Sequence, residues 1–139
     1  MANDKTVSAP RGRVTRVDLC ADQWFTSDGS GDYAYTPISA VMEDVATSLE
    51  DLIIHADVKE LEAGLEFKVV IDRSFDGYTW THGNPVLVPQ SADGYFISSA
   101  FSTRTEMGRF MRLSLGLDDA AAAKSARFSI SVYLKFLSR

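Results

Sequence analysis

Arg127-Phe128-Ser129-Ile130-Ser131-Val132-Tyr133-Leu134-Lys135-Phe136 is the stretch whose reading decides the fold class. Phe128, Ile130, Val132, Leu134 and Phe136 alternate with Arg127, Ser129, Ser131, Tyr133 and Lys135. A period of two over that length matches the side-chain alternation of a strand and misses the 3.6-residue period of a helix. The same rhythm runs upstream. Met111, Leu113, Leu115 and Leu117 share one face of a strand over Phe110 to Leu117. Leu52, Ile54, Ala56 and Val58 alternate with Ile53, His55 and Asp57, and Leu65, Phe67, Val69 and Ile71 alternate with Glu66, Lys68, Val70 and Asp72. The short Glu60-Leu61-Glu62-Ala63-Gly64 connection between the last two runs predicts adjacent antiparallel strands with one buried face.

Weaker signals fill in the rest. Val17 and Leu19 alternate with Arg16 and Asp18, predicting a strand over Arg13 to Cys20. A long loop is expected next, because Ser27-Asp28-Gly29-Ser30-Gly31-Asp32 is turn chemistry, with Trp24, Phe25, Tyr33 and Tyr35 flanking it. Phe75-Asp76-Gly77 predicts a tight turn into Tyr78 to His82. Val86 to Val88, between Pro85 and Pro89, predicts a short edge strand. Tyr95 to Phe101, after the Asp93-Gly94 turn, predicts a further strand. Asp118 to Lys124 holds four alanines but is too short for an independent helix, and reads as a loop. A short helix over Val41 to Leu52 is an open alternative. The sum is about seven to nine strands with no βαβ rhythm, which predicts an all-β, antiparallel, jelly-roll-like sandwich over residues 13–139. Residues 1–12, interrupted by Pro10 and Gly12, read as an extended N-terminal arm.

Composition narrows the function classes. The chain has 139 residues, 45% apolar and 24% charged, as expected of one globular domain. No apolar run approaches the roughly 18–20 residues needed to cross a bilayer, and Met1 to Pro10 lacks the apolar core of a secretory signal. Cys20 is the lone cysteine, which rules out an intrachain disulfide and suits synthesis in a reducing cytoplasm. The net charge is −5, with +3 on residues 1–16 (Lys5, Arg11, Arg13 and Arg16 against Asp4), leaving −8 on the remainder. An acidic body argues against nucleic acid as partner, while a basic arm suits the acidic surface of a sister subunit.

Catalytic chemistry is thinly represented. His55 lies on the polar side of a strand, His82 at a strand end, and Cys20 reads as a small core residue, so a Cys–His nucleophile pair is not expected. Glu43 with Asp44, Glu60 with Glu62, and Asp118 with Asp119 read as solvated connections. Asp28 to Asp32 has alternating oxygen ligands but no ligand where the twelfth position of an EF-hand loop would fall, and reads as a contact-making loop. Gly29 and Gly31 lack the lysine of a phosphate-binding loop. No catalytic, cofactor or metal site is expected. Ser74-Phe-Asp-Gly-Tyr-Thr-Trp80 resembles the Ser-x-Asp-Gly-x-x-Trp hairpin of β-sandwich and propeller proteins, close to the sialidase Asp-box without its extra residue between Asp and Gly. Turn amides bonded by Ser74 and Asp76, a positive φ at Gly77 and a covering Trp80 account for it as structure.

Taken together, that hairpin, the Ala63-Gly64 connection and the late strands Gly108-Arg-Phe-Met-Arg-Leu-Ser-Leu-Gly-Leu117 and Ala126 to Phe136 give a layout that resembles small β-sandwich structural proteins of tailed bacteriophages and prophage-like particles. The resemblance covers about two thirds of the chain and implies a non-enzymatic virion protein. Such a protein is made in the bacterial cytoplasm, and is either a capsid decoration protein or another repeated subunit, with copies of itself and other particle proteins as partners. The contact residues expected on this reading are Lys5, Arg11, Arg13 and Arg16 of the basic segment and the aromatic set Trp24, Phe25, Tyr33 and Tyr35. The alternative is a carbohydrate- or ligand-binding sandwich, with Trp24, Tyr33, Tyr35, Tyr78 and Trp80 available to stack on sugar rings.

Overall fold

The computed structural model describes residues 13–43, 49–98, 101–102 and 109–136. The expected arm over residues 1–12, with Lys5 and Arg11, lies outside the described residues, as does Asp44. The described strands are β1 (Arg13–Thr26), β2 (Ala34–Pro37), β3 (Met42–Glu43), β4 (Leu49–Leu61), β5 (Glu66–Ser74), β6 (Thr81–Gln90), β7 (Gly94–Ile97), β8 (Phe101–Ser102), β9 (Phe110–Asp118) and β10 (Ser125–Phe136), and no helix occurs among the described residues.

The strands form two antiparallel sheets. The first runs β1-β10-β4-β7, with β8 also on β4, and the second runs β2-β9-β5-β6, with β3 also on β9. Counting the eight main strands along the chain, the orders are first-eighth-third-sixth and second-seventh-fourth-fifth, the topology of a jelly roll. The alternating apolar sets fill the space between the sheets. Leu52, Ile54, Ala56 and Val58 of β4 and Phe128, Ile130, Val132 and Leu134 of β10 face Phe67, Val69 and Ile71 of β5 and Met111, Leu113, Leu115 and Leu117 of β9, all buried. Phe67 and Phe128 meet edge to face at 5.0 Å, tying the two inner faces together at mid-core.

Four expectations are corrected. β4 and β5 are not hydrogen-bonded neighbours: β4 pairs with β10, β7 and β8, while β5 pairs with β9 and β6 in the opposite sheet. Alternation shows which face a strand buries, and a hairpin and an arch between facing sheets bury the same face. The arch turns at Gly64 (φ 91°), where the Leu65 amide donates to the Glu62 carbonyl at 3.1 Å. Second, β1 continues to Thr26 rather than ending at Cys20. Irregularities between Asp18 and Cys20 and between Cys20 and Gln23 shift its phase, which erases the periodicity there. Third, the strand expected over Tyr78 to His82 and the one over Val86 to Val88 are a single edge strand, β6. Three register shifts against β5 accommodate its prolines. Tyr78 to Trp80 stay in the turn. Fourth, the helix alternative fails where it is described, since Met42–Glu43 and Leu49–Leu61 are strands.

Four connections gather at one end of the sandwich: 27–33, 62–64, 91–93 and 119–124. The Ser27 amide donates to the Lys124 carbonyl at 2.8 Å and the Glu62 amide to that of Ser125 at 3.2 Å. The Ser74–Trp80 hairpin projects from the opposite end.

Candidate functional site

The expected contact residues divide among three locations. Arg13 opens β1 opposite Phe136. Arg16 stands on the outer face of the first sheet, where its Nε donates to Asp18 at 3.0 Å and its guanidinium lies 5.8 Å above the Tyr133 ring. Trp24 is on the same outer face, 53% exposed, with the Arg127 guanidinium 5.7 Å from its ring. Phe25, one residue on, points the other way into the core and meets Phe128 edge to face at 5.8 Å. Tyr33 and Tyr35 lie on the second sheet. The four aromatics expected as contact residues are therefore spread over both sheets, and Phe25 is a core residue. Continuation of β1 through this segment separates adjacent side chains onto opposite faces.

On the outer face of the first sheet, Arg16, Asp18, His55, Asp57, Tyr95 and Tyr133 line an open groove of about 350 Å³. His55 Nδ1 shares a hydrogen bond of 2.6 Å with the Tyr95 hydroxyl, and its ring packs on Tyr133 at 4.6 Å. Both contacts are cross-strand. Cys20 borders the groove, but its thiol donates to the Phe128 carbonyl at 3.7 Å. Burial pushes that thiol above its usual pKa, with a hydrogen bond from the Ile130 backbone opposing. An activated nucleophile needs the reverse shift and an imidazole partner. Apolar side chains continue this face: Tyr95 and Ile97 on β7 are more than half exposed, as is Val14 on β1.

The outer face of the second sheet is organised around Asp72, which is fully buried. Its Oδ1 is 2.5 Å from His82 Nδ1, while its Oδ2 accepts from Arg112 Nε at 2.9 Å and from the Ser114 hydroxyl. The Tyr35 ring stacks on His82 with centroids 3.7 Å apart, and Tyr33 stacks on Tyr35 at 6.1 Å. Lys68 Nζ sits 4.0 Å from the Tyr33 ring and the Arg112 guanidinium 4.1 Å from that of Trp80. The Tyr33 hydroxyl donates to Glu66; burial raises its pKa and that bond raises it further. Gly116 makes the arrangement possible, since a Cβ there would stand 2.9 Å from Tyr35 Cε1. Sequence reasoning missed Asp72. The available signal was an aspartate in mid-strand, with Arg112 and Ser114 two residues apart on another strand. Of the rings offered for sugar stacking, Tyr33, Tyr35 and Trp80 are engaged by other rings or cations, and Trp24 lies on the other sheet.

Two carboxylates hold loops. Asp76 Oδ1 accepts from the Tyr78 and Thr79 amides at 2.8 and 2.7 Å and from Ser74 Oγ at 2.9 Å, while Ser74 Oγ accepts from the Gly77 amide at 2.9 Å. These bonds hold the Asp76 carboxyl well below the usual carboxylate range. Tyr78 at the tip is 90% exposed. Asp119 accepts from the Gly29 amide and, at 2.9 Å each, from those of Gly31 and Ala121, fastening the glycine-rich loop to the 119–124 turn. Burial works to raise the Asp119 carboxyl, but hydrogen bonds from Ser27, Gly31, Gly29 and Ala121 outweigh it and lower it. Among the described residues no group of three or more His, Cys, Asp or Glu is placed to hold a metal ion.

No protein-family profile matches the chain, and no curated protein sequence does. Solved structures do. An infectious bursal disease virus VP2 subviral particle matches with a TM-score of 0.68 at 18% identity, over 94% of this chain and 34% of that one. T=1 particles derived from infectious bursal disease virus match with a TM-score of 0.63 at 16% identity, over 96% and 34%. The capsid of Ralstonia phage GP4 matches with a TM-score of 0.51 at 16% identity, over 100% of this chain and 92% of that one. The chain thus spans about a third of the VP2 chain but nearly all of the phage chain. At these identities the likeness defines the class of fold, a viral-capsid-type antiparallel β-sandwich.

Proposed function

We propose that this chain is a non-enzymatic structural protein of a phage or phage-like particle, a repeated subunit that assembles into or decorates the shell through copy-to-copy contacts. The observation that carries the reading is the match to the Ralstonia phage GP4 capsid, which spans all of this chain and 92% of its counterpart. A chain of which this fold spans nearly the whole length is therefore found in a phage capsid, and that supports the reading of an accessory or decoration subunit. The surface supports the reading. The outer face of the first sheet carries Trp24, Tyr95 and Ile97 more than half exposed, bordered by Arg16, Asp18 and Asp57. Half-exposed aromatic and aliphatic groups within a polar rim are the usual make-up of a protein contact surface. β1 and β6 are long edge strands able to pair with a neighbour.

The test is sedimentation velocity of the full chain over rising concentration at low salt. Species at multiples of 15.3 kDa that grow with concentration are expected. A single 15.3 kDa species throughout overturns the reading.

A further inference from the structure

We propose that the groove at the Trp24 end of the first sheet receives the basic N-terminal arm of a second copy of this chain. The inference rests on the assembly reading and names the surfaces that meet. The groove, of about 290 Å³, is lined by Trp24, Glu60, Leu61, Glu62, Asp93 and Ser125. Trp24 and Leu61 give it an apolar part, and Glu60, Glu62 and Asp93 an acidic one. Glu60 shares the Arg127 guanidinium with Asp22, each at 3.0 Å, and Glu62 lies 3.9 Å from Lys124. Of the three carboxylates that line the groove, Glu60 and Glu62 each have a cation beside them and Asp93 has none among the described residues. An arginine or lysine entering here meets the unpaired Asp93 and a half-exposed indole, which together hold a cation better than either alone.

The arm supplies such cations, Lys5 and Arg11 against Asp4. Geometry keeps Arg11 from the groove of its own body and leaves Lys5 only a fully extended path to it. Arg13 pairs with Phe136 and Trp24 with Arg127, so the arm leaves the sandwich at the far end of β1 from the groove. Nine residues of β10 separate those two pairing positions, or about 30 Å at the usual rise of a strand. Arg11 lies two residues before Arg13 and reaches about 7 Å from it at full extension. Lys5 lies eight residues before Arg13 and reaches about 29 Å only on a straight path back along its own strand. The groove of a neighbouring copy carries no such restriction. Head-to-tail contacts of this kind build rings or open arrays, the geometry of a repeated shell component.

The experiment uses full-length single-cysteine variants with Cys20→Ser. One carries Arg11→Cys, one Asp93→Cys, and a control carries Tyr78→Cys at the opposite end; each is checked for native far-ultraviolet circular dichroism. The 11-cysteine and 93-cysteine proteins are mixed under mild oxidation, and the mixed disulfide is compared with that from the 11-cysteine and 78-cysteine pair. A several-fold excess of the 11–93 product is expected. Equal yields from both mixtures, with the full chain still associated by light scattering, overturn docking of the arm in this groove and leave assembly standing. Equal yields with a monomeric full chain overturn both. If Cys20→Ser unfolds the protein, charge exchange replaces the cross-link. Lys5→Glu with Arg11→Glu, or Glu62→Lys with Asp93→Lys, each weakens association about 3- to 10-fold, and mixing the two variants restores it. Failure of the mixture to recover overturns the pairing.

Discussion

Replacing Asp72 tests whether a buried carboxylate organises the outer face of the second sheet. Asp72→Ala removes the acceptor for His82, Arg112 and Ser114 together. Hydrogen bonds to charged groups contribute about 1.5–3 kcal/mol each, and orphaning a buried hydroxyl costs about 1–3 kcal/mol. Arg112 and His82 keep partial access to water, with side chains 22% and 39% exposed, so their losses fall at the low end. Ser114 is fully buried and has no such relief. Removing the buried carboxylate also relieves its own desolvation penalty, so the expected net loss is roughly 3 kcal/mol, which for a chain of this length lowers Tm by about 10 °C. Asp72→Asn keeps one oxygen for Arg112 and Ser114 and puts an amide in place of the second carboxylate oxygen beside His82, so about half that loss is expected. Urea unfolding followed by tryptophan fluorescence and circular dichroism gives both values, and Trp80 on Arg112 serves as a local probe. A loss below about 1 kcal/mol for Asp72→Ala would refute the assigned role of the carboxylate.

Three further outcomes are expected. Gly116→Ala drives a Cβ to within 2.9 Å of Tyr35, so near-ultraviolet circular dichroism weakens and stability falls by about 1–2 kcal/mol; an unchanged spectrum contradicts the stacked arrangement. Asp76 and Asp119 both titrate below their unfolded values, so the unfolded chain binds more protons on acidification. Their stabilisation is complete above the ordinary carboxylate pKa of about 4 and is lost as pH falls below it. The urea midpoint therefore drops between pH 5 and pH 3 (values about one unit either side of that pKa), and less so in an Asp76→Asn, Asp119→Asn double variant. Cys20, with its thiol pushed up by burial, reacts with a disulfide reagent at neutral pH more slowly than free cysteine, and unfolding in urea removes the difference; faster reaction in the folded state would indicate an activated thiol.

The strongest strands were legible in the sequence because each buries one face. β4, β5, β9 and β10 alternate as the core requires, and their inward residues are those the period marks. Partner choice was not legible. Leu65 to Ile71 alternate whether β5 pairs with β4 or faces it across the core, and only the turn at Gly64 decides. β1 was cut short for a local reason: its bulges carry Asp22 at a φ of 52°, held by a 2.8 Å bond from its amide to Ser129 Oγ, a residue far along the chain. The hairpin at Ser74 to Trp80 was read in chemical detail because its bonds are local. The Asp72 cluster was not, because its partners lie 10, 40 and 42 residues away. His55 does lie on the outer side of a strand and His82 near a strand end, while their neighbours Tyr95 and Tyr35 come from other strands.

Self-association through the arm is tested most directly by comparing masses in solution. Light scattering behind a sizing column would be run on the full chain and on a chain beginning at Arg13, at low salt and equal concentration. A multi-subunit full chain that falls to the mass of a single chain without residues 1–12 is the expected result. A full chain and a shortened chain that are both monomeric, or both associated to the same size, would contradict assembly through the arm.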